Sequence, residues 1–323
     1  MDVALYVVAM MVQGMTFTTN DDLYAPSSEA THTALDAFLS DHASNDLIIS
    51  RMLTLADNET IRRACQTHRL DLSDETVEAA IHNMRSGRVA SAVFSGKLAS
   101  GKDAIAEQVC LSLAERGLAP GVVHRTSDPI RSELNAIIEI VKTSVSQSAC
   151  EERIAASLDL TRDMSRYFTT MLWGPVREGP LVAEDRTDLN RTLLVVLADE
   201  GRRSADPDYW IRKFFSSMLT TLASGRSAYL TGGRYPNEIG PAQALGITTV
   251  RLIVSADVQA RRLGSRDGLE ANPILINSPN ERALDDFVGF NLVFNNDGEL
   301  HTGVALVSQF VEYVAHLTAH VRY

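Results

Sequence analysis

The fold of the chain is decided by residues 93–103, which read VFSGKLASGKD. They contain the pattern Gly-x-x-x-x-Gly-Lys, preceded by the apolar run Val89–Phe94 and followed by a stretch of helical character, Ala104–Arg116. Glycines let the backbone curl so that successive N–H groups point at one anion, and the helix N-terminus adds a partial positive charge. The bare pattern also arises by chance in turns, but a strand before it and a helix after it favour a phosphate-binding loop.

The side chains of this loop suit a nucleoside triphosphate. We expect the Lys102 ammonium to contact the β- and γ-phosphates and to be catalytic, because phosphoryl transfer depends on positioning and charge stabilisation. Lys97 either assists the phosphates or is an ordinary exposed lysine. Asp103 stands where a Ser or Thr hydroxyl usually binds Mg²⁺, and a carboxylate there can hold the metal directly or through water. The residues predicted to bind ATP are Gly96, Lys97, Ser100, Gly101, Lys102, Asp103 and Ala104.

Short apolar runs and helical stretches alternate along the chain from residue 89 onward. This alternation predicts an α/β fold with a mainly parallel sheet covered by helices, built around the P-loop of residues 96–103. The predicted strands are Val89–Phe94, Gly121–His124, Ala228–Thr231, Thr248–Val254 and Leu292–Phe294. The predicted helices are Ala104–Arg116, Pro129–Val141, Glu151–Met171, Leu189–Glu200, residues 208–222, Glu238–Leu245 and Gly303–His320.

Residues 1–88 have a different pattern and are predicted to form a helical N-terminal module, separate from a P-loop domain at 89–323. Apolar residues at helical spacing predict a helix over Thr33–Leu55. Ser73 is a candidate N-cap of a second helix, and the sequence Arg85–Arg88, which contains a glycine, predicts its end. The module carries no constellation typical of a site, so we interpret it as a packing or partner-binding appendage.

Composition excludes several classes of protein. The 323 residues are 45% hydrophobic and 22% charged, as in ordinary globular proteins. A net charge of −11 disfavours a nucleic-acid polymer as partner. The three cysteines are widely spaced, which predicts reduced thiols and a cytoplasmic protein, in the host if the chain is viral. The apolar run Val3–Val12 is too short to span a bilayer, so no membrane association is expected. The sequence leaves open whether the protein forms a homodimer.

A loop ending Ser-Gly-Lys-Asp resembles that of phage-type deoxynucleoside monophosphate kinases, and also that of animal-type phosphomevalonate kinases in the same P-loop superfamily. Further motifs follow in the order expected for the first family, over roughly residues 89–315. Ala104 and Gly232 depart from its pattern, since a hydroxyl and an acidic residue are common there. The matching segments are Ser127–Arg131, Glu200 with Arg203, Asp206–Trp210, Arg234–Glu238, Glu281–Asp285 and Asn295–Gly298.

The resemblance implies a set of substrate-binding and lid residues. Arg131 and Arg234 also follow strands, at the edge where open α/β sheets bind ligands, and a guanidinium fork suits a monophosphate. Surface salt bridges are the alternative for both arginines, and core packing is the alternative to base stacking for Trp210. The implied substrate-binding residues are Arg131, Glu200, Arg203, Trp210, Arg234 and Glu238, and the candidate catalytic lid arginines are Arg261, Arg262 and Arg266.

Together these features predict ATP-dependent, Mg²⁺-assisted phosphorylation of deoxynucleoside monophosphates to diphosphates by direct in-line transfer, with small nucleotides as the partners. Two alternatives stay open. The acceptor could instead be a modified base within DNA or a metabolite similar to phosphomevalonate. The chain could also be a degenerate, non-enzymatic P-loop protein that binds a partner, an alternative that Gly232 and Ala104 favour.

Overall fold

The computed structural model describes residues 56–185, 187–267, 279–287 and 289–320. The helix predicted over Thr33–Leu55 lies outside these ranges. The described residues divide into two compact units. One comprises the segments 56–125 and 215–320 and contains the sheet, and the other is Thr126–Phe214. Within the described ranges, no helix combines the length and apolar character that crossing a bilayer requires.

A five-stranded parallel sheet forms the centre of the first unit, which confirms the predicted α/β fold. Its strand order is β2-β3-β1-β4-β5, and every neighbouring pair is parallel. The first strand, which leads into the glycine-rich loop, therefore lies in the middle of the sheet. The strands are β1 Ser91–Gly96, β2 Gly121–Arg125, β3 Ser227–Gly233, β4 Thr248–Ile253 and β5 Leu292–Asn295.

The helices agree with most of the predicted ones. Those of the first unit include α1 Asn58–Thr67, α2 Asp74–Arg85, α3 Lys102–Glu115, α10 Pro236–Ala244, α11 Ala256–Asp267, α12 Pro279–Arg282 and α13 Leu300–His320. Those of the second are α4 Ser127–Thr143, α5 Gln147–Leu158, α6 Arg162–Leu172, α7 Pro175–Glu178 and α8 Asp188–Ala198, followed by a π-helix, Asp199–Arg203. Helix α9, Tyr209–Ala223, contains the boundary between the two units.

One predicted helix, Glu151–Met171, is wrong as a single element. Asp159 lies in the left-handed region with φ of 51°, so α5 ends there. The Thr161 hydroxyl then accepts a hydrogen bond from the Met164 N–H at 3.3 Å and begins α6. A short polar side chain tolerates the left-handed conformation, and a threonine cap satisfies a free amide, so the two residues together break the helix.

The core of the first unit explains why the apolar runs of the sequence predicted its strands correctly. β1 is buried along most of its length, and Phe94 is fully buried against α3 and α13. A strand in the middle of a parallel sheet is covered on both faces, and its sequence is therefore continuously apolar. The residues of α3 and α13 in this cluster are Ile105, Ala106, Val109, Leu113, Leu306, Val307, Phe310 and Val311.

The described end of the N-terminal region packs on the sheet-containing unit. Ser73 caps α2 by accepting a hydrogen bond from the Thr76 N–H at 3.3 Å, which confirms the predicted N-cap. The Asn83 amide donates to the Leu222 carbonyl at 2.8 Å, and Gly87 ends the segment with φ of 67°. These contacts fix residues 56–88 onto the sheet-containing unit, while a domain boundary near residue 88 stays a prediction.

Candidate functional site: the glycine-rich loop

The loop between β1 and α3 has the backbone geometry of an anion-binding turn. Ala99 and Gly101 have φ angles of 60° and 85°, so two residues close to the helix start are left-handed. A Cβ on Gly101 would lie 2.6 Å from Asn296 Nδ2, and a Cβ on Gly96 would lie 2.8 Å from the Leu252 carbonyl oxygen. Both glycines are therefore required by close packing, and Gly101 also by its conformation.

Two side chains of the loop are buried at the start of α3. Lys102 is the first residue of α3 and is only 7% exposed. Ser100 is fully buried, and its hydroxyl has no hydrogen-bond partner among the described residues. A buried hydroxyl without a partner is uncommon in folded proteins, which makes Ser100 a notable residue of the loop. Lys102 and Ser100 are thus both buried at the start of α3, where the helix N-terminus carries a partial positive charge.

Asp103, the residue predicted to hold magnesium, lies in the first turn of α3 beside Lys102. Its carboxylate is about half exposed and lies 3.8 Å from the Lys102 ammonium. Within the described ranges, no group of three or more His, Cys, Asp or Glu side chains is arranged to hold a metal. Mg²⁺ keeps several waters and is commonly held by one or two carboxylates together with substrate phosphates. A magnesium ion brought by a nucleotide therefore fits Asp103, whereas a metal cage made only of protein does not.

The Ser100 carbonyl fastens the loop to the end of the sheet. It accepts hydrogen bonds from Asn296 Nδ2 at 2.7 Å and from Arg262 Nη1 at 3.4 Å. Arg262 Nη2 also donates to the Asn296 carbonyl at 2.7 Å. Arg262, predicted as a lid arginine, thus supports the loop in this structure, because both of these nitrogens already have acceptors. Arg261 is exposed, and the side chain of Arg266 lies outside the described part of the chain.

Glu281 connects the loop to Arg234. Its Oε2 atom accepts the Leu98 N–H at 2.5 Å, and its Oε1 atom lies 3.3 Å from Arg234 Nη1. The Glu281 side chain is 5% exposed, so both contacts are largely removed from water. Arg234, predicted to bind substrate, therefore lies at the same end of the sheet as the loop.

A second carboxylate, Asp285, lies between two cations. Its Oδ2 atom is 2.8 Å from Lys97 Nζ, and its Oδ1 atom is 3.7 Å from Arg251 Nη2. Arg251 also donates to the Ser95 hydroxyl at 2.9 Å, which in turn donates to the Gly233 carbonyl at 2.7 Å. Burial lowers the pKa of Arg251, although the nearby carboxylates act in the opposite direction. Lys97 is thus ion-paired with Asp285 and half exposed. This placement does not decide between a phosphate contact and an ordinary exposed lysine.

Glu238 caps the start of α10, a role that was not predicted from the sequence. Its Oε2 atom accepts the backbone N–H groups of Arg234 at 2.7 Å and Tyr235 at 3.2 Å, and the residue is 3% exposed. The carboxylate thereby caps α10 and fixes the turn that presents Arg234. The substrate-binding role that the resemblance implies for Glu238 stays a prediction, while the structure shows the carboxylate engaged in a buried cap.

The remaining predicted substrate residues lie in the second unit. Trp210 is 1% exposed, and its indole N–H donates to the Ala198 carbonyl at 3.1 Å, which favours core packing over base stacking. Arg203 lies 2.7 Å from Asp199, one turn earlier. Glu200 is exposed. Arg131 is half-buried, and its Nε atom has no hydrogen-bond partner among the described residues.

The second unit also contains a buried polar cluster centred on Glu133. Arg202 lies 2.9 Å from the Glu133 carboxylate, and the Tyr209 hydroxyl donates to the same carboxylate. The Arg202 guanidinium lies over the Tyr209 ring at 4.5 Å and donates to the Leu158 carbonyl at 2.6 Å. Burial and the Glu133 carboxylate raise the pKa of Tyr209, which keeps its hydroxyl a donor. The cluster therefore joins α4, the π-helix, α9 and the end of α5.

We expect Glu133→Gln to destabilise the protein by about 3 kcal/mol, because the substitution leaves the buried Arg202 charge without a counter-ion. The side chains of this pair are only 12% and 7% exposed. Urea unfolding followed by circular dichroism measures the loss. The matched control is Glu139→Gln on the same helix, whose carboxylate is 63% exposed and pairs with Lys142, and it should cost less than about 0.5 kcal/mol. Equal effects of the two variants would contradict the prediction.

The described residues define the class of the chain as an α/β protein with a five-stranded, all-parallel sheet covered by helices. None of the models of known protein families matches the sequence. A search of the curated proteins likewise finds no relative of this chain. The narrower resemblance carried by the short motifs therefore stays an expectation.

Proposed function

We propose that the protein is an ATP-dependent kinase of deoxynucleoside monophosphates. The observation that carries the proposal is the loop from Gly96 to Lys102, which combines two left-handed residues, a buried lysine and a buried Ser100 hydroxyl that has no partner among the described residues. Such a site is complementary to the phosphates of a nucleoside triphosphate. It lies at the carboxyl end of the central strand, where open α/β sheets bind their ligands.

In the proposed reaction an oxygen of the acceptor phosphate attacks the γ-phosphorus of ATP. The bond from the γ-phosphorus to the oxygen shared with the β-phosphate breaks, and ADP leaves with that oxygen. Lys102 and the loop amides hold the phosphates and stabilise the charge that develops on them. Magnesium, when bound near Asp103, supplies further neutralisation of the phosphate oxygens. Arg234 presents a guanidinium fork suited to the phosphate of the acceptor.

The choice of acceptor rests on the ordered motifs downstream of the loop, among them the Arg234–Glu238 and Glu281–Asp285 segments. The structure places both of these segments at the loop end of the sheet, with Glu281 in contact with both the loop and Arg234. This proximity supports an acceptor that carries a phosphate of its own. Arg131, Glu200 and Arg203 stay predicted substrate residues.

A coupled assay of ADP release with dAMP, dCMP, dGMP and dTMP tests the proposal. We expect turnover with at least one of them, at rates of about 1–100 s⁻¹ as is typical of kinases. ADP release that never exceeds the blank without acceptor would refute it. Phosphomevalonate and an oligonucleotide serve as further acceptors, and turnover with either in place of the monophosphates would show the same chemistry on another substrate. A DNA acceptor would also bind with a steep dependence on salt.

A further inference from the structure

Glu281 is unusual in that each of its two oxygens contacts a different part of the candidate site. One accepts the backbone N–H of Leu98 at 2.5 Å, and the other faces Arg234 at 3.3 Å. The first contact is short even for a hydrogen bond to a charged acceptor. Since the carboxylate is almost fully buried, it has little alternative contact with water.

The two contacts differ in what they fix. The Leu98 amide belongs to the first half of the loop, close to the end of β1, and its orientation sets the course of the chain towards Ala99. Arg234 is at the end of β3, and its side chain is 37% exposed, so part of the guanidinium faces solvent. Arginine has five N–H donors, which leaves donors for an anion while Glu281 holds one side of the fork.

The negative charge of Glu281 also favours a role in positioning other groups over direct contact with a phosphate. A carboxylate beside bound phosphates would repel them unless its charge were compensated, and here an arginine and a backbone amide provide that compensation. The carboxylate is therefore suited to hold donors in place and poorly suited to contact a phosphate itself.

From these contacts we propose that Glu281 is a positioning residue that aligns the phosphate loop with Arg234, so that the two reacting phosphates are held in a fixed relation. The inference rests on the proposed function, in which the loop binds ATP and Arg234 binds the acceptor. Misplacement of reacting groups by as little as about 1 Å costs roughly a hundredfold in rate, so such alignment has a measurable consequence.

Two substitutions separate the two contacts. In Glu281→Gln the amide oxygen still accepts the Leu98 N–H, but an NH₂ group faces Arg234, so donor meets donor. We expect misalignment to lower kcat about a hundredfold and the loss of the Arg234 contact to raise the KM for the acceptor about tenfold, while the KM for ATP changes less than about threefold. In Glu281→Ala both contacts are lost, and both KM values should rise together. Glu312→Gln is the control, because that carboxylate pairs with Arg116 at 3.0 Å, away from the loop, and should leave both constants unchanged.

A double-mutant cycle with Arg234→Gln completes the test. If Glu281 acts through Arg234, Glu281→Gln should have little further effect in the Arg234→Gln background, since the aligned partner is already lost. An unchanged acceptor KM in Glu281→Gln, or the same rise in both backgrounds, would overturn the inference.

The failure of this inference is distinguishable from failure of the proposed function. Wild-type protein that turns over no acceptor would refute the function itself. Calorimetry of ATP binding then still tests the contact with Leu98, because Glu281→Ala should weaken that affinity and an equal affinity would overturn it. Should Glu281→Ala fail to fold, the isosteric Glu281→Gln and the cycle decide the question.

Discussion

Lys102→Met should abolish phosphoryl transfer while leaving the fold intact. Lys102 is the first residue of α3 and is buried, and its ammonium is the charged group that the proposal places on the phosphates of ATP. Removing one charged donor that stabilises a transition state costs about 10²–10³-fold in rate, so kcat should fall at least that far. Methionine has a similar length and is apolar, so the buried stem of the lysine is replaced without a cavity. Steady-state kinetics and calorimetry with ATP measure the two consequences, a lost rate and a weakened affinity.

The control for this experiment is Lys142→Met, in which an exposed lysine paired with Glu139 at 2.6 Å is replaced in the same way. Its kinetic constants and unfolding midpoint should match those of the wild type, because an exposed pair within one helix contributes little. A Lys102→Met protein that keeps turnover within tenfold of wild type would show that the loop does not carry the chemistry. A variant that loses ATP binding without losing its biological function would instead favour the non-enzymatic alternative.

The sheet could be predicted from the sequence because its signals are local. A buried parallel strand is continuously apolar, so Val89–Phe94 and Thr248–Val254 could be located within two residues of β1 and β4. The loop could be predicted for a related reason, since the glycines at 96 and 101 and the lysine at 102 have fixed spacing. Each of these features depends only on residues that are close together in the sequence, so it can be recognised from the sequence alone.

The contacts around the loop could not be predicted in the same way, because they join residues far apart in sequence. Leu98 and Glu281 are separated by 183 positions, and Ser95 and Arg251 by 156. A sequence does not show which carboxylate meets which donor across such distances. One signal was available for Arg251, since a charged residue inside the otherwise apolar Thr248–Val254 run requires a buried partner.

The contacts that the structure gives to three predicted site residues have a common physical cause. The resemblance implies ligand contacts for Arg262, Glu238 and Trp210, whose guanidinium, carboxylate and indole groups can bind nucleotides, and those roles stay predictions. The same groups also satisfy the carbonyls and amides at helix and strand ends, and the structure uses them so, with the Ser100 carbonyl, the Arg234 amide and the Ala198 carbonyl as partners. Buried backbone N–H and C=O groups at turns need hydrogen-bond partners, and a ligand needs such partners too. Only the fold shows which of the two a given side chain contacts.

Gly101→Ala should abolish nucleotide binding, and Gly117→Ala should not, although both glycines are left-handed and lie at opposite ends of α3. Their φ angles are 85° and 99°, so alanine at either position is strained by about 1–2 kcal/mol. The surroundings differ, however. A Cβ at Gly101 would lie 2.6 Å from Asn296 Nδ2, whereas a Cβ at Gly117 would meet nothing within 4 Å. Since Asn296 donates to the Ser100 carbonyl at 2.7 Å, displacing it moves the loop itself.

The two variants therefore separate backbone strain from disruption of the site. Urea unfolding should show a loss of stability for both variants, because both alanines are strained. The loss should be greater for Gly101→Ala, because its Cβ also clashes with Asn296. Calorimetry with ATP and magnesium should show wild-type affinity for Gly117→Ala, and affinity lowered at least about a hundredfold for Gly101→Ala, since the loop amides no longer converge on one anion. Equal affinities in the two variants would mean that the phosphates bind elsewhere, because the conformation at Gly101 and its contact with Asn296 shape only this loop.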